Sequence, residues 1–437
     1  GATKANSAIV HGGYAEAHSK LKGRLCYQGR RQFARLDREL GFGFSPIGSL
    51  VLAFEEGRRD ALVALMENGR RNGLDDLSLL DGGQVRAMEP AVNPAVVYGL
   101  YCKGAGVCSP YELVIALMEN AMVNGAALFL QAEVASVARL AQGFEVRTAD
   151  GRCFHTKYLV NAAGLGAASV SAMAGDSRFT LRPRSGEYLV IAKGPGKLVR
   201  SVLFQMPTAL GKGILVTPTV YGNLLIGPDA LDGEDDDRST HPDRLRHILA
   251  GAMRTTDRLN VQQFIRSFAG VRSVADTDDF ILDASPVPGL IQAAGIQSPG
   301  LTASPAVALL VRDLLDREGL RLVEKKDFNP NRRAFLRPLG VSMAEAARRV
   351  ALEEGAQGRL ICRCEQVLEA AVEDAAGRGI PLYTVDAIKR RTRAGMGWCQ
   401  GAFCGPRVTS LLSRRYDGGI DPRTDAQRQG LTRVGRE

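Results

Sequence analysis

The first hydrophobic pattern in the chain has a helical period. Apolar residues recur at roughly helical spacing and stop before Gly41; they are Leu21, Leu25, Phe33, Leu36 and Leu40. This spacing predicts a helix over 21–40 that the glycine ends. The continuous apolar run at 49–54 predicts a strand, and residues 55–68 predict a second helix.

The middle of the chain changes from alternating elements to strand-rich sequence. A helix is predicted at 111–124, because Ser109-Pro110 marks its start and Gly125 its end. Short strands are predicted within 126–161. Residues 182–285 contain β-rich runs separated by proline and glycine, with one helical stretch near 242–254. This pattern indicates an α/β core that carries an inserted antiparallel sheet.

The last third begins with a strand, a turn and a helix, and ends in a compact module. Residues 290–295 predict the strand and 303–315 the helix. Residues 321–357 are charged and interrupted by proline, which indicates a linker with a short helix. The module spans 358–412, and residues 413–437 are predicted to be a loose tail. The predicted class is therefore mixed α/β (α+β), with a discontinuous domain over 1–320 and a small helical domain.

Length, composition and charge narrow the class of protein. At 437 residues the chain exceeds the ~250–300 residues over which a single core grows, which indicates several domains. No apolar run approaches the ~18–20 residues of a membrane span. The net charge of +9 raises the question of nucleic-acid binding, but the sequence has no recognition-helix, RRM or zinc-finger spacing. We therefore expect no nucleic-acid partner.

Four of the eight cysteines lie in the C-terminal module. Cys362 and Cys364 form a C-x-C pair, whereas Cys399 and Cys404 form a C-x4-C pair. Four thiolates from two separated loops can bind one zinc ion or one two-iron cluster. The tight C-x-C pair favours the cluster, with structural zinc and unliganded thiols as the alternatives. This cysteine usage indicates a metal site in a reducing cytoplasm rather than a disulfide framework.

Glycines and basic residues surround the second cysteine pair. Gly395, Gly397, Gly401 and Gly405 leave backbone N–H groups free to point at sulfur, and residues 389–393 add positive charge. Segments 361–365 and 391–404 resemble the bacterioferritin-associated-ferredoxin-like [2Fe-2S] domain, although Trp398 stands where a small or basic residue is more usual. The resemblance implies that the four cysteines ligate one [2Fe-2S] cluster, which exchanges electrons with a neighbouring redox centre.

An electron-transfer cluster needs a redox partner, and a flavin or nicotinamide is expected because the sequence shows no haem motif or second cluster. Five segments carry a more specific resemblance: 1–14, 88–90, 160–164, 267–272 and 295–302. They resemble the D-amino-acid-oxidase-like FAD superfamily, and within it the anaerobic glycerol-3-phosphate dehydrogenase large subunit and the L-2-hydroxyglutarate dehydrogenases. The similarity covers nearly the whole chain and implies an FAD-dependent dehydrogenase with a Rossmann-like FAD-binding domain.

The resemblance also implies which residues bind FAD. They are Thr3, Lys4, Ser7, Gly12, Val134, Ala163, Gly164, Gly300, Leu301 and Thr302. The first three would follow the pyrophosphate and ribityl chain, and Gly12 would approach the isoalloxazine together with His11. Residues 300–302 would donate N–H groups to the flavin C2 carbonyl and so stabilise the reduced, anionic flavin. A structural histidine is the alternative interpretation of His11.

Arg272 is the predicted substrate-binding residue, and Arg184 and Glu187 are further candidates for the same pocket. A guanidinium can bind a carboxylate or phosphate with two parallel hydrogen bonds and hold the carbinol carbon beneath flavin N5. The alternative is a surface arginine in an ion pair. Arg272 and His11 are thus the predicted catalytic residues for oxidising a small anionic hydroxy compound, either glycerol 3-phosphate or a 2-hydroxyacid.

The related enzymes carry a G-x-G-x-x-G turn in a βαβ unit before the segment equivalent to Gly1, and this turn binds the FAD pyrophosphate. The sequence has no such turn there, so we expect a truncated FAD-binding domain and a chain that is part of a longer protein. The expected electron route runs from substrate to FAD, to the cluster and to a partner subunit, through which membrane association would at most be peripheral. The alternative is an iron-sulfur electron-transfer module with a degenerate flavin domain.

Overall fold

A computed structural model describes residues 1–206, 213–233 and 236–415. The strands are β1 (Ile9–Val10), β2 (Phe44–Ser45), β3 (Ser49–Ala53), β4 (Leu77–Asp81), β5 (Tyr98–Cys102), β6 (Gly106–Cys108), β7 (Val134–Arg139), β8 (Phe144–Thr148), β9 (Cys153–Thr156), β10 (Leu159–Asn161), β11 (Leu181–Ile191), β12 (Val202–Gln205), β13 (Val216–Pro218), β14 (Leu224–Ile226), β15 (Leu231–Asp232), β16 (Phe264–Ala275), β17 (Ile281–Ala284), β18 (Leu290–Ala294), β19 (Leu360–Cys362) and β20 (Val367–Leu368).

The helices are α1 (Leu21–Arg30), α2 (Phe33–Leu40), α3 (Arg59–Arg71), α4 (Gly82–Met88), α5 (Pro110–Val123), α6 (Ala167–Met173), α7 (Pro242–Thr255), α8 (Gly300–Arg317), α9 (Met343–Ala351), α10 (Gly355–Gly358), α11 (Glu369–Ala376), α12 (Val385–Thr392) and α13 (Cys404–Ser413). The predicted mixed α/β class is confirmed. The single helix predicted over 21–40 is instead two helices, because Gln32 N–H bonds to Gly29 O, three residues back, and the chain turns there.

The described residues form two compact units. The first contains residues 1–38, 43–110 and 129–328. The second contains residues 39–42, 111–128 and the described chain from Asn329 onward, so most of α5 belongs with the cysteine-bearing module. The segment 321–357, predicted as a linker, contains α9 and α10. No helix of the described chain combines the length and apolar character that a bilayer span requires.

A nine-stranded sheet dominates the first unit. Its order is β15-β11-β14-β13-β12-β3-β5-β4, and β16 pairs with β11 along nearly its whole length. The pairs are antiparallel except for β12 with β3, which is parallel. Sequence analysis placed this sheet mainly within 182–285, but β3, β4 and β5 extend it with residues from 49–102. β17 also lies within 182–285, but it belongs to a smaller sheet, where it pairs with β18.

The side chains of β3 alternate between two hydrophobic cores, so the sheet is buried on both faces there. Leu50 and Leu52 pack into one hydrophobic core, whereas Val51 and Ala53 pack into another. Because successive side chains of a strand point to opposite faces, a strand covered on both sides reads as a continuous apolar run. All five residues of β3 are buried, as the run at 49–54 indicated.

The smaller sheet has the order β10-β18-β17 and contains the parallel pair of a Rossmann-like core. Asn161, the last residue of β10, lies opposite Gln292 in the middle of β18, and their buried side-chain amides bond at 2.9 Å. The Asn161 amide also donates to Ala167 O at 2.8 Å. This polar pair fixes the register of the two strands, which lead into the loops that precede α6 and α8.

Helices α1 and α8 approach one another at backbone distance. A Cβ added to Gly29 would lie 2.1 Å from Thr302 O and 2.9 Å from Ala303 Cα. Only glycine permits this approach, because a methyl group would have to displace backbone rather than a flexible side chain. The contact brings α1 against the first turn of α8, where the candidate cofactor-binding residues lie.

The second unit is built on a small core of its own. Buried residues of β19, β20, α11, α12 and α13 pack together; they are Ile361, Val367, Val372, Ile388, Val408 and Leu412, with others. Arg332 and Arg378 both bond to the buried Glu119 of α5, at 2.6 and 3.4 Å. The Phe335 ring lies within 5.5 Å of both guanidinium groups. These contacts attach α5 and residues 329–335 to the module.

We predict that Gly29→Ala destabilises the first unit by about 1–3 kcal/mol, because the added methyl group overpacks the α1–α8 contact. The measurement is the midpoint of thermal or urea unfolding. Gly57→Ala is the matched control, since a Cβ there meets nothing within 4 Å. Equal midpoints for the two variants would contradict this account of the helix contact.

Candidate functional site

We use the word crevice for the region at the carboxyl ends of the parallel strands β10 and β18. Ala163 and Gly164 follow β10 and are exposed. Gly164 has φ +63°, and a Cβ there would meet nothing within 4 Å. Ligands of open α/β sheets bind outside the carboxyl ends of the strands. The predicted residues Ala163 and Gly164 therefore lie where such a sheet offers room for a ligand.

The N-terminal segment lies against β16 at the same crevice. Ala2–Lys4 form a 3-10 turn, and a Cβ on Gly270 would lie only 1.9 Å from Ala5 O. Ser273 Oγ donates to Gly164 O at 3.3 Å. The structure thus places Thr3 and Lys4, both exposed, and Gly164 on opposite sides of the same strand segment. Ser7 lies nearby, because its side chain bonds to Tyr188 of β11.

Thr302 joins β1 to the start of α8. Its Oγ1 accepts a hydrogen bond from His11 N at 2.9 Å and lies 3.3 Å from Ile9 O, to which it donates. Thr302 is fully buried. The hydroxyl therefore satisfies both backbone groups that flank Val10 and fixes the backbone of His11, whose half-buried ring lies 5.8 Å from the Phe204 ring.

The first turn of α8 offers N–H groups to a ligand. The helix begins at Gly300 after Pro299, and no side chain caps it. Gly300 N–H already donates to Gln297 O at 2.6 Å, so the turn can offer the N–H groups of Leu301 and Thr302. The partial positive charge of a helix N-terminus favours an anion or a carbonyl oxygen there. The structure brings the predicted residues Gly300, Leu301 and Thr302 together with His11 and Gly12 at this helix end.

Residues that sequence analysis missed complete the pocket beside His11. Its lining includes Tyr14, Cys26, Val51, Phe204, Gln205 and Pro299. Phe204 and Gln205 reach the pocket because β12 pairs in parallel with β3, opposite Val51 and Leu52. That pairing spans about 150 residues of sequence and leaves no local signal, since strand pairing depends on tertiary context.

Asn68 of α3 and Asn72, the residue directly after that helix, bond to the loop that lines the pocket. Asn68 Nδ2 donates to Tyr14 O and Glu16 O, both at 2.8 Å. Asn72 Nδ2 donates to Gly13 O at 2.8 Å. The spacing of four residues places both amides on one face of the helix, which is the one sequence signal that could have indicated this role.

Arg272 lies on β16 directly opposite Arg184 of β11. It is half-buried, and its guanidinium donates to Asp229 O at 3.0 Å. In the described part of the chain no carboxylate forms an ion pair with it. Its charge is therefore available to an anionic ligand, unlike the surface ion pair that was the alternative interpretation.

Arg184 and Glu187 are engaged elsewhere in the structure. Arg184 Nη2 donates to Asp232 Oδ2 at 3.0 Å, and this bonding lowers the pKa of Asp232 to about 2. Glu187 is fully buried and accepts from His241 N at 2.9 Å, with Arg244 3.1 Å away. Both residues support the sheet next to Arg272, and neither offers a free charge to a substrate.

Val134 lies in a separate three-stranded sheet, β7-β8-β9. Its side chain packs into a cluster with Val170 of α6, the helix that follows Gly164. Glu133 O accepts from Ala149 N at 2.8 Å, which fixes the strand start. Val134 thus reaches the region of the crevice through α6 rather than through the main sheet.

The four cysteines of the second unit meet as two pairs. Cys362 and Cys404 are buried and share a hydrogen bond, which lowers the pKa of Cys362 to about 6 and raises the pKa of Cys404. Cys364 is exposed, and its Sγ lies 3.7 Å from that of Cys399. A single zinc ion would hold all four sulfurs ~3.8 Å apart. Within the described residues, the one group of three such ligand atoms that all lie within 4.8 Å of one another is Glu145, Cys153 and His155, so no three of the cysteine sulfurs lie that close.

Backbone N–H groups point at these sulfurs. Gly395 and Glu365 donate to Cys362, and Phe403 and Gly401 donate to Cys399. Burial opposes ionisation of Cys399, but the two donors lower its pKa. Paired thiolates within N–H donors fit a two-iron cluster, whose negative charge such bonds offset.

Comparison with known proteins agrees with this geometry. Residues 1–314 match the family model described as FAD dependent oxidoreductase. The chain belongs to this family. Residues 360–414 match the BFD-like [2Fe-2S] binding domain. The enzyme is therefore an FAD-dependent oxidoreductase with an iron-sulfur domain, and its cofactors are FAD and a [2Fe-2S] cluster, as sequence analysis predicted.

Individual known proteins are similar to this chain over different lengths. The glycerol 3-phosphate dehydrogenase of Caloramator mitchellensis is 42% identical over 94% of this chain and 86% of its own. The dithionite-reduced L-alpha-glycerophosphate oxidase of Mycoplasma pneumoniae, solved with FAD bound, is 30% identical over 76% of this chain and 88% of its own, with a TM-score of 0.72. The L-2-hydroxyglutarate dehydrogenase of Salmonella houtenae is 26% identical over 52% of this chain and 54% of its own.

The residues at the crevice fit FAD. The open space over Gly164 and the uncapped start of α8 suit the dinucleotide and the flavin C2 carbonyl, respectively. The roles of the individual residues remain predictions.

We predict that Thr302→Val destabilises the FAD-dependent unit by about 1–3 kcal/mol and lowers its FAD content. Valine has the same shape but leaves His11 N–H and Ile9 C=O without their buried partner. Thermal unfolding and the flavin absorbance of the purified enzyme measure the two effects. Thr302→Ser keeps the hydroxyl and should stay near the unmodified enzyme; a serine variant as impaired as the valine variant would contradict the role of the hydroxyl.

We predict that Cys399→Ser removes the [2Fe-2S] signal and leaves flavin content unchanged, since the two cofactors belong to different units. Iron analysis and the electron paramagnetic resonance (EPR) spectrum of dithionite-reduced enzyme measure the cluster. Cys153→Ser, an exposed thiol of β9, is the control. One zinc and no iron in the anaerobically purified unmodified enzyme would refute the cluster assignment.

Proposed function

We propose that this enzyme oxidises glycerol 3-phosphate and passes the electrons through its [2Fe-2S] cluster to a partner protein. The observation that supports it most is Arg272 of β16, a half-buried guanidinium with no carboxylate partner among the described residues. Such a fork binds an anionic group of the substrate, a phosphate or a carboxylate, with two parallel hydrogen bonds.

The substrate class follows from the similar proteins. The dehydrogenase that aligns with nearly the whole chain acts, by its name, on glycerol 3-phosphate, whereas the L-2-hydroxyglutarate enzyme aligns with about half of it. Both substrates are secondary alcohols with an anionic group, so the same chemistry would serve either one. The longer and closer similarity favours the phosphate ester.

The protein's own residues would orient the substrate and move its proton. Arg272 would bind the phosphate of glycerol 3-phosphate and so fix the C2 carbon of this substrate relative to the pocket beside His11. The His11 imidazole would accept the proton of the C2 hydroxyl as the alcohol becomes a ketone. FAD, when bound, supplies the acceptor for the hydride from C2. The N–H groups of α8 would stabilise negative charge at the C2 carbonyl of the flavin ring.

The cluster gives the electrons a route away from the flavin. A hydride delivers two electrons at once, whereas a [2Fe-2S] cluster carries one at a time, so it suits transfer to a one-electron partner.

The direct test is anaerobic titration of the enzyme with glycerol 3-phosphate, followed by the visible absorption of the flavin. We expect stoichiometric bleaching by glycerol 3-phosphate and none by glycerol, which lacks the anion. L-2-hydroxyglutarate should bleach the flavin far more slowly. Bleaching by L-2-hydroxyglutarate alone would overturn the proposed substrate.

We predict that Arg272→Ala costs about 3–5 kcal/mol in kcat/KM for glycerol 3-phosphate, because binding and orientation of the phosphate are lost together. Arg272→Lys keeps the charge but not the fork and should rescue only part of the loss. Steady-state kinetics with an artificial dye acceptor measures both variants.

Arg182→Ala is the control for the Arg272 variants. Arg182 lies on the neighbouring strand β11, is exposed and already bonds to Asp232. Its loss should leave kcat/KM within about twofold, in keeping with the small energy of exposed ion pairs. An Arg272→Ala enzyme with unchanged kcat/KM would return Arg272 to the surface-residue interpretation.

A further inference from the structure

The loops that carry the cluster cysteines also expose large aromatic side chains. Phe403 is 82% exposed, more than any other large hydrophobic side chain of the described residues, and Trp398 is 50% exposed. Each immediately precedes a cysteine ligand in sequence. Exposed single hydrophobic residues are ordinary on protein surfaces, but two large aromatics on the same ligand loop are the composition of a protein interface.

These aromatics border the open side of the cluster site. Cys362 and Cys404 are buried, whereas Cys364 is exposed and Cys399 half-exposed. Gly397, next to Trp398, packs so closely on Cys364 that an added Cβ would lie 2.3 Å from its Cβ. The Phe403 N–H points at the Cys399 sulfur. Electrons that leave the cluster towards solvent therefore pass the sulfurs beside Trp398 and Phe403.

The same surface is positively charged. Arg363, between the first two cysteines, and Arg407 of α13 are exposed. Neither forms an ion pair with a described residue. Residues 395–415 contain no aspartate or glutamate. Glu365 is the acidic residue beside Cys364, but it is buried and bonded to Arg393 at 2.8 Å. Arg407 and Phe403 are four residues apart at the start of α13, which places them on one face of the helix.

We propose that Arg363, Cys364, Trp398, Phe403 and Arg407 form a cluster face that docks an acidic, one-electron-accepting redox protein. The inference rests on the proposed function, because it names the surface through which the cluster delivers its electrons. Aromatic residues and arginine provide most of the energy of small protein interfaces. Opposite charge speeds the encounter and makes it sensitive to salt. A transient electron-transfer contact needs only a small area of this kind.

The binding test uses the complete enzyme with both cofactors and two haem proteins as probes. Soluble cytochrome b5 is the acidic probe, and cytochrome c is the basic one. Binding of each oxidised probe is measured by isothermal titration calorimetry at low and at high salt. We expect cytochrome b5 to bind more tightly than cytochrome c, and expect the preference to fade as salt screens the charges.

Variants of the cluster face then locate the contact. Arg363→Glu combined with Arg407→Glu should weaken cytochrome b5 binding about tenfold or more and favour cytochrome c. Trp398→Ala and Phe403→Ser should each weaken it about tenfold, as truncation of interface aromatics does. The visible and EPR spectra of each variant confirm that the cluster is intact. If an aromatic variant loses its cluster, the charge variants still test the proposal, because they replace only exposed side chains.

The matched controls are residues that are not part of the cluster loops. Tyr383→Ser removes an aromatic side chain of the same unit that is also 50% exposed, and Arg70→Glu reverses an exposed charge on α3. Neither should change cytochrome b5 binding. If the face variants bind as tightly as these controls, or if unmodified enzyme prefers cytochrome c, the proposal is wrong. A dimer in sedimentation that Trp398→Ala dissociates would also overturn it, because a second copy would then cover the face.

Failure of the proposed function has a separate signature. An artificial dye that takes electrons directly from the flavin reports substrate oxidation without any docking protein. If glycerol 3-phosphate fails to reduce the dye while cytochrome b5 binding still depends on the cluster face, the proposed substrate is wrong and the docking surface stands. If glycerol 3-phosphate reduces the dye normally while the face variants bind cytochrome b5 as tightly as the unmodified enzyme, the docking surface is wrong and the proposed substrate stands.

Discussion

The hydroxyl of Thr302 connects β1 to the first turn of α8 at the candidate active site. It satisfies His11 N and Ile9 O, and the carbonyl of the same residue lies against Gly29 of α1. A buried polar group without a partner costs about 1–3 kcal/mol, so these contacts constrain one another. The position of the His11 backbone, the start of α8 and the packing of α1 consequently depend on a single turn of helix.

Both candidate cofactor sites offer backbone N–H groups where charge must be held. At the crevice the uncapped first turn of α8 would supply them, and in the second unit the loops at 395 and 401–403 direct them at cysteine sulfur. Backbone donors are fixed by the fold and need no reorganisation when a cofactor changes charge. The glycines of these loops matter for the same reason, because Gly397 permits the close contact with Cys364.

Local patterns in the sequence predicted the elements and motifs that local physics determines. The spacing of Cys362, Cys364, Cys399 and Cys404 indicated the cluster, and the apolar run at 49–54 indicated the buried β3. Long-range pairing was not predictable: β3 joins the sheet of β12, and this pairing brings Phe204 and Gln205 into the pocket. Most of α5 belongs with the cysteine-bearing unit for a similar reason, since its Glu119 bonds to Arg332 and Arg378, more than 200 residues later. The ion pairs and hydrogen bonds that occupy Arg184 and Glu187 were likewise not predictable from the sequence.

The central claim is that electrons from the substrate reach the [2Fe-2S] cluster through FAD. Rapid freeze-quench EPR of the anaerobic enzyme mixed with glycerol 3-phosphate tests it most directly, with Cys399→Ser as the sample that lacks the cluster. The account predicts that the signal of the reduced cluster rises as the flavin absorption falls, and that it is absent from the variant. A flavin that is fully reduced by glycerol 3-phosphate while the cluster stays oxidised and EPR-silent would contradict it.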